Sequence, residues 1–263
     1  MADRTAGAAA RRLQNAIGLL PFVALLVVWY ILTTYGSIAP YQLPPIGKVV
    51  SDFFRKVDSG VLVFNIAMSM QRLVLAFVIG NALAVPLGFA IALNRHVADL
   101  LRPILTFLQS IAGIAWVPLA IIWFGIGAGP VLFVMANTIF FSSIYNVVIG
   151  VESIPRAQRR AVQSLGANRR QVYTGLILPG ALVQILVGFR ISMAYGFRAM
   201  VGAELVAGTN GLGYMLIKAS NDFAPETVIL GMLAIAAIWF VLDRLVFVPI
   251  ERRTVVRWGM LTR

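Results

Sequence analysis

The chain has 263 residues, no cysteine and a formal net charge of +12; 60% of its residues are hydrophobic, only 12% are charged, and the mean hydropathy is +0.87. That balance lies far from a soluble domain and defines an integral membrane protein. The missing thiols exclude disulfides and thiolate metal centres, and a lone His96 builds no metal site by itself. The basic residues gather at the ends of apolar runs without interleaved exposed aromatics, which argues against nucleic-acid binding.

A polar, basic start bearing Arg11 and Arg12 leads into an apolar stretch, and residues 17–35 are read as a first span held in the cytoplasm at its start. A secretory signal peptide competes for these residues, but the run is long for one and 33–37, TTYGS, is a weak cleavage site. Residues 36–64 then lie outside, with an extended break at Leu43-Pro44-Pro45 and a short amphipathic interface helix over 49–57. The second span, 66–93, contains Gly80, Pro86 and Gly88, read as packing features that bring helices close. A short inside loop, 94–102, holds Arg95 and Arg102. The third span, 103–124, carries Trp116 and Pro118; Pro118 frees a carbonyl one turn back, which makes Trp116 a candidate pathway residue, while Trp123 reads as an interface residue.

The fourth span, from about 131 to 151, contains Asn137, Thr138, Ser142, Ser143, Tyr145 and Asn146. Polar groups in hydrocarbon need partners, so this helix faces other helices or a water-filled cavity; the sequence leaves both open. The fifth span, 176–206, carries Gln184, Arg190, Arg198 and Glu204, each a functional candidate because an ionisable group inside a membrane is costly. Arg190 and Arg198 are roughly 80° apart around a helix, so they address one broad face. Arg198 has two readings. Its planar fork of donors suits a carboxylate, sulfonate or nitrate; alternatively it pairs with Glu204 or with an acid on another helix. Beyond it, Gly208-Thr209-Asn210-Gly211-Leu212-Gly213-Tyr214 lacks the Gly-Lys-Ser/Thr of a phosphate loop and reads as a sharp turn on the outer side. A last span, 227–247, precedes a basic tail. Most of the 22 Lys and Arg fall on one set of loops, which orients both ends toward the cytoplasm.

Between the fourth and fifth spans lies RAVQSLGANRRQVYTGLILP, residues 160–179. Ala161, Val162, Leu165, Val172 and Leu176 recur at helical spacing and arginines fill the other positions, which reads as two short amphipathic helices. Gly166 separates them, where positive φ ends one helix, and Pro179 marks the entry to the next span. An ordinary cytosolic loop that merely satisfies the charge bias fits the same spacing.

This segment resembles the coupling loop of ABC importer permeases, whose pattern is Glu-Ala-Ala, three residues, Gly, nine residues, Ile-x-Leu-Pro. Ala161, Gly166, Leu178 and Pro179 match; Arg160 stands at the Glu, Val162 at the second Ala and Leu176 at the Ile. Over roughly three quarters of its length the chain is similar to permeases of the sulfonate, taurine, nitrate and bicarbonate branch, through RLVLAFVIGNALAVPLGFAIAL, WVPLAIIWFGIG, Gly188-Phe189-Arg190, Val201-Gly202-Ala203-Glu204 and GLGY. The resemblance implies an all-α integral membrane protein of the type I importer fold, with six transmembrane helices and a cytosolic coupling loop at 152–176. It divides the chain into residues 1–65, a tail, first helix and external segment, and a core of five helices over 66–263.

The resemblance further implies a permease that moves a small organic or inorganic anion into a bacterium across its inner membrane, with both termini cytoplasmic. It implies a cytosolic ATPase dimer that binds ATP and Mg, a second permease copy forming a homodimer, and an extracytoplasmic binding protein. The chain itself would hold no cofactor and would not be an enzyme: no Walker A motif and no catalytic cluster of His, Cys or paired carboxylates is present. Arg160, Ala161, Ser164, Leu165, Gly166, Ala167, Leu178 and Pro179 would couple to the ATPase; Arg190, Arg198, Glu204, Trp116 and Asn137 are the pathway candidates. A carrier or channel that works without nucleotide is the competing class, although no inverted repeat is visible.

Overall fold

A computed structural model describes residues 20–251 except 22, 37 and 38, with only the backbone of 251. The basic ends of the chain, and with them the expected start of the first span at 17, lie outside the described residues. Within them the chain is helical and holds no strand. A chain in lipid must satisfy its backbone polar groups within each segment, and the helix does so.

The first helix, α1 (Val23–Thr34), is apolar, and Trp29 Nε1 donates to the carbonyl of Pro44 at 3.0 Å, tying α1 to the extended break. Helix α2 (Ile46–Asp58) follows Pro45 and is slightly longer than the expected interface helix. It buries the carboxylate of Asp52, which accepts a 2.7 Å bond from Thr227 Oγ1 and contacts the Arg55 guanidinium. Helix α3 (Val61–Leu93) starts directly after Gly60, earlier than the expected 66. Its N-cap glycine has φ +72°, the conformation in which a residue without Cβ is unstrained.

Two expectations fail between α3 and the next long helix. Residues 94–102 are not a loop: Asn94 caps α4 (Arg95–Gln109) by accepting from the His96 amide. The expected single span 103–124 is two helices, α4 and α5 (Val117–Phe124), joined through a 3-10 turn (Gly113–Trp116) and bent by 90°. Pro118 sits in the first turn of α5, where its missing N–H costs nothing, so it starts a helix instead of interrupting one. Ser110 Oγ bonds back to the Phe107 carbonyl at 2.6 Å, closing α4. Gly113 fits the corner because a Cβ there would lie 2.6 Å from Thr138 Oγ1.

Helix α6 (Ala128–Glu152) is the centre, packed between α3 and α9 (Leu178–Ala207). Glycines make both seams. A Cβ on Gly80 would reach Ile139 at 2.8 Å and one on Gly88 would reach Val147 at 2.7 Å, so α3 and α6 run parallel in constant register. A Cβ on Gly188 would fall 2.4 Å from Asn146 and one on Gly196 2.6 Å from Ile139, so α6 and α9 run antiparallel. Small residues at such seams let backbones approach where lipid offers no hydrophobic drive to associate. The bent α4–α5 pair is the crossover that the parallel α3–α6 pairing demands.

Helices α7 (Arg156–Ser164) and α8 (Arg169–Val172) form the segment between α6 and α9. The chain does not break at Pro179; α8 runs into α9 through a π turn (Tyr173–Ile177). After α9 come α10 (Leu212–Asn221), unforeseen in the sequence, and α11 (Pro225–Leu242), which continues through a second π turn (Asp243–Phe247) into α12 (Val248–Glu251). Both π turns stand just ahead of a proline, Pro179 or Pro249. Proline donates no N–H and presses on the carbonyl four residues back, and a wider turn relieves both. Among the described residues four helices are long and apolar enough to cross a membrane, and the bent pair makes up to five spans.

Candidate functional site

Three constellations carry polar chemistry, and the first is the α7–α8 segment. Its inner side is anchored: Val162, Ala167, Tyr173 and Leu176 pack on a cluster of Phe89, Val147, Val151, Ile154, Val172 and Ile177, and Tyr173 meets Phe89 edge to face at 5.4 Å. Arg159 bonds the Val151 carbonyl at the end of α6. Helix α8 begins with a reciprocal capping box, Asn168 accepting from the Gln171 amide at 2.9 Å while Gln171 accepts from the Asn168 amide at 2.8 Å. The outer side is bare. Arg160, Ala161 and Ser164 are exposed, and Leu165 is 88% exposed. Gly166 has φ +88° with nothing within 4 Å of a Cβ position, so the backbone and not crowding selects glycine. Leu178 and Pro179 lie in the first turn of α9, one π turn behind this elbow.

The second constellation is a cavity of about 440 Å³ between α9 and the α11–α12 strand of helix, holding Arg190, Arg198, Trp239 and Asp243. Arg190 Nε and Nη2 donate to the two oxygens of Asp243 at 2.8 and 2.9 Å, a bidentate pair. Asp243 opens the second π turn, so the widening of the helix sits where this carboxylate is presented. Arg198 lines the same cavity; among the described residues it makes no ion pair, and its guanidinium lies 5.9 Å from the Tyr195 ring centroid.

Glu204 stands elsewhere, in the third constellation. It is fully buried and accepts from Ser69 Oγ, from Arg72 Nη1 at 2.9 Å and from the Gly213 amide at 3.0 Å. Arg72 also bonds the carbonyl and side chain of Asn210; Ser69 accepts from the Leu212 amide and Asn65 from the Gly211 amide, both at 2.8 Å. The network thus ties α3, α9 and the Gly208–Gly211 turn together. Gly211 and Gly213 are required, since a Cβ on either would fall within 2.6 Å of Glu204. The alternative pairing of Arg198 with Glu204 is not made. Arg72 is the partner that sequence reading missed, and its place inside an apolar span was the available signal.

Trp116 ends the 3-10 turn and packs on the main core, edge to face with Phe133 at 6.3 Å. Asn137 is half-buried on α6. Neither lines the α9–α11 cavity. Of the other polar groups on α6, Asn146 meets Gln184 of α9 at 3.4 Å and Tyr145 meets Thr106 of α4 at 3.2 Å, so part of that polarity bridges helices.

A multi-pass helical membrane subunit, with a basic elbow projecting at one end of its bundle and a charged cavity within its helical part, is what these features define. The chain belongs to the family of inner membrane components of binding-protein-dependent transport systems, whose model matches residues 84–254. Within it the chain falls among ABC importer permeases of the taurine, sulfonate and nitrate branch. It is 35% identical over 238 residues to the taurine transport system permease protein of Escherichia coli, covering 89% of this chain and 86% of that one. It is 27% identical over 263 residues to the nitrate import permease protein of Synechocystis, covering 94% and 95%. In fold it is similar to a chain of the MetNI methionine ABC transporter, with TM-score 0.58 and 17% identity over 70% of this chain and 94% of that one.

Proposed function

We propose that this permease is the membrane half of an ATP-driven importer for a small anion of the sulfonate, taurine, nitrate, bicarbonate or aromatic-acid type. The observation that carries the reading is Leu165, a bare apolar side chain at the tip of an elbow whose other face is packed into the bundle. On an otherwise basic elbow, a bare leucine beside Gly166 offers another protein an apolar contact. The partner we infer is a cytosolic ATPase dimer that binds ATP and Mg and receives Arg160, Ala161, Ser164, Leu165, Gly166 and Ala167. Both termini then lie in the cytoplasm. A second copy of this chain completes the pathway, and an extracytoplasmic binding protein delivers the substrate at the Gly208–Gly211 end.

The packing supports a route for the transmission. Closure of the ATPase dimer displaces α7 and α8, and their contacts with Phe89, Val151 and Ile177 pass the movement to α3, α6 and α9 as rigid bodies. Leu178 and Pro179 lie where that movement enters α9. Arg198 gives the pathway its positive charge, beside Arg190, which Asp243 engages. The test is reconstitution of the complex, purified from its native membrane, into vesicles with binding protein. Uptake of labelled taurine or nitrate that requires ATP and stops with vanadate supports the reading; ATP-independent movement of the anion would place the chain among secondary carriers.

A further inference from the structure

We infer that the α9–α11 cavity is the anion's binding station in this chain, and that it selects a monoanion with an apolar body over bare or doubly charged oxyanions. This rests on the reading of the chain as an importer half. The cavity's charge supports it. Among the described residues Arg190 and Arg198 bring two positive charges to the cavity and Asp243 one negative, so the charge on Arg198 is the one that no carboxylate of the lining compensates. A monoanion neutralises it; a dianion leaves a net negative charge inside the membrane, where desolvation makes it costly. Arg198 is held along the Tyr195 ring and keeps its fork of donors for oxygens.

The rest of the wall is apolar. Leu186, Val187, Ala194 and the indole of Trp239 surround the charged groups, which gives an alkyl or aryl portion a surface to cover and gives nitrate nothing beyond the guanidinium. Asp243 has a second part in this arrangement. By engaging Arg190 through both oxygens it withdraws that guanidinium from the anion, so Arg198 is the specificity-determining contact. An anionic phospholipid headgroup with its acyl chains has the same chemistry, and the test must separate the two.

The chain has no cysteine, so Ala194→Cys places one thiol on the cavity wall. The intact complex carrying this change is placed in phosphatidylcholine nanodiscs, and maleimide labelling of the permease is followed by mass. Hexanesulfonate should slow labelling about tenfold, the scale of one charge-assisted contact, while nitrate, sulfate and hexyltrimethylammonium should do so far less. Arg198→Gln should remove the protection and Arg198→Lys should keep part of it. Equal protection by the cation, or protection unaltered by Arg198→Gln, would overturn the assignment. Protection by phosphatidylglycerol alone would give the cavity to lipid and overturn it too. ATP hydrolysis by the same preparation reports separately on the importer reading, so each can fail without the other.

Discussion

Arg72 Nη1 stands 2.9 Å from Glu204 Oε1, although the two residues are 132 positions apart, and both side chains are almost wholly buried. Each satisfies further partners, so the pair fixes the turn at the end of α9 against α3. Glu204→Ala leaves the guanidinium buried without its counter-charge, a loss on the order of 3–5 kcal/mol. Glu204→Gln keeps the acceptor for Ser69 and should cost less. Thermal unfolding in detergent should rank wild type, Gln, then Ala, with hydrogen exchange rising first at Gly208–Gly211 and α10. Equal melting of Ala and Gln would contradict this.

The helix seams give a sharper contrast. Gly196→Ala forces a Cβ to within 2.6 Å of Ile139, and overpacking of that kind costs about 1–3 kcal/mol. Gly47→Ala, on α2 with nothing within 4 Å, should be neutral or stabilise by about 0.5 kcal/mol because it removes a helical glycine. Paired melting curves of the two variants check both signs.

Asp243→Asn changes the charge in the α9–α11 cavity without changing its shape. The described lining gains one net positive charge, and Arg190 loses its ion pair with position 243. Protection of a thiol at position 194 should then shift toward sulfate relative to hexanesulfonate. An unchanged order of the two anions would separate the cavity's charge from selectivity.

Much of this molecule was legible in local sequence because membrane helices are specified by composition along a single segment. The limits of α6, the end of α9, the two short helices flanking Gly166, and the packing role of Gly80 and Gly88 all follow from such signals. The 90° bend between α4 and α5 was not legible: the apolar run is continuous there, and the corner depends on Gly113 meeting Thr138 of another helix. Helix α10 was masked by the glycines that precede it. The site was half legible. Arg190, Arg198 and Glu204 stood out as charges in an apolar run, but their partners, Asp243 and Arg72, lie on other helices and only tertiary packing assigns them.

The elbow separates conformation from contact. Gly166→Ala strains a backbone held at φ +88° by about 1 kcal/mol, whereas Gly166→Val adds β-branching to that strain and should disorder the elbow. Uptake should fall modestly in the first variant and be abolished in the second. Normal transport by Gly166→Val would show that the elbow transmits nothing.

The most direct measurement is to purify the chain from its native membrane in mild detergent and determine which protein stays bound and whether ATP is hydrolysed. An ATPase subunit in equal amount should copurify with wild type and be lost from Leu165→Asp, while both permeases melt at the same temperature because Leu165 is exposed. A lone chain without ATP hydrolysis, still moving an anion across vesicles, would contradict the coupled-importer mechanism.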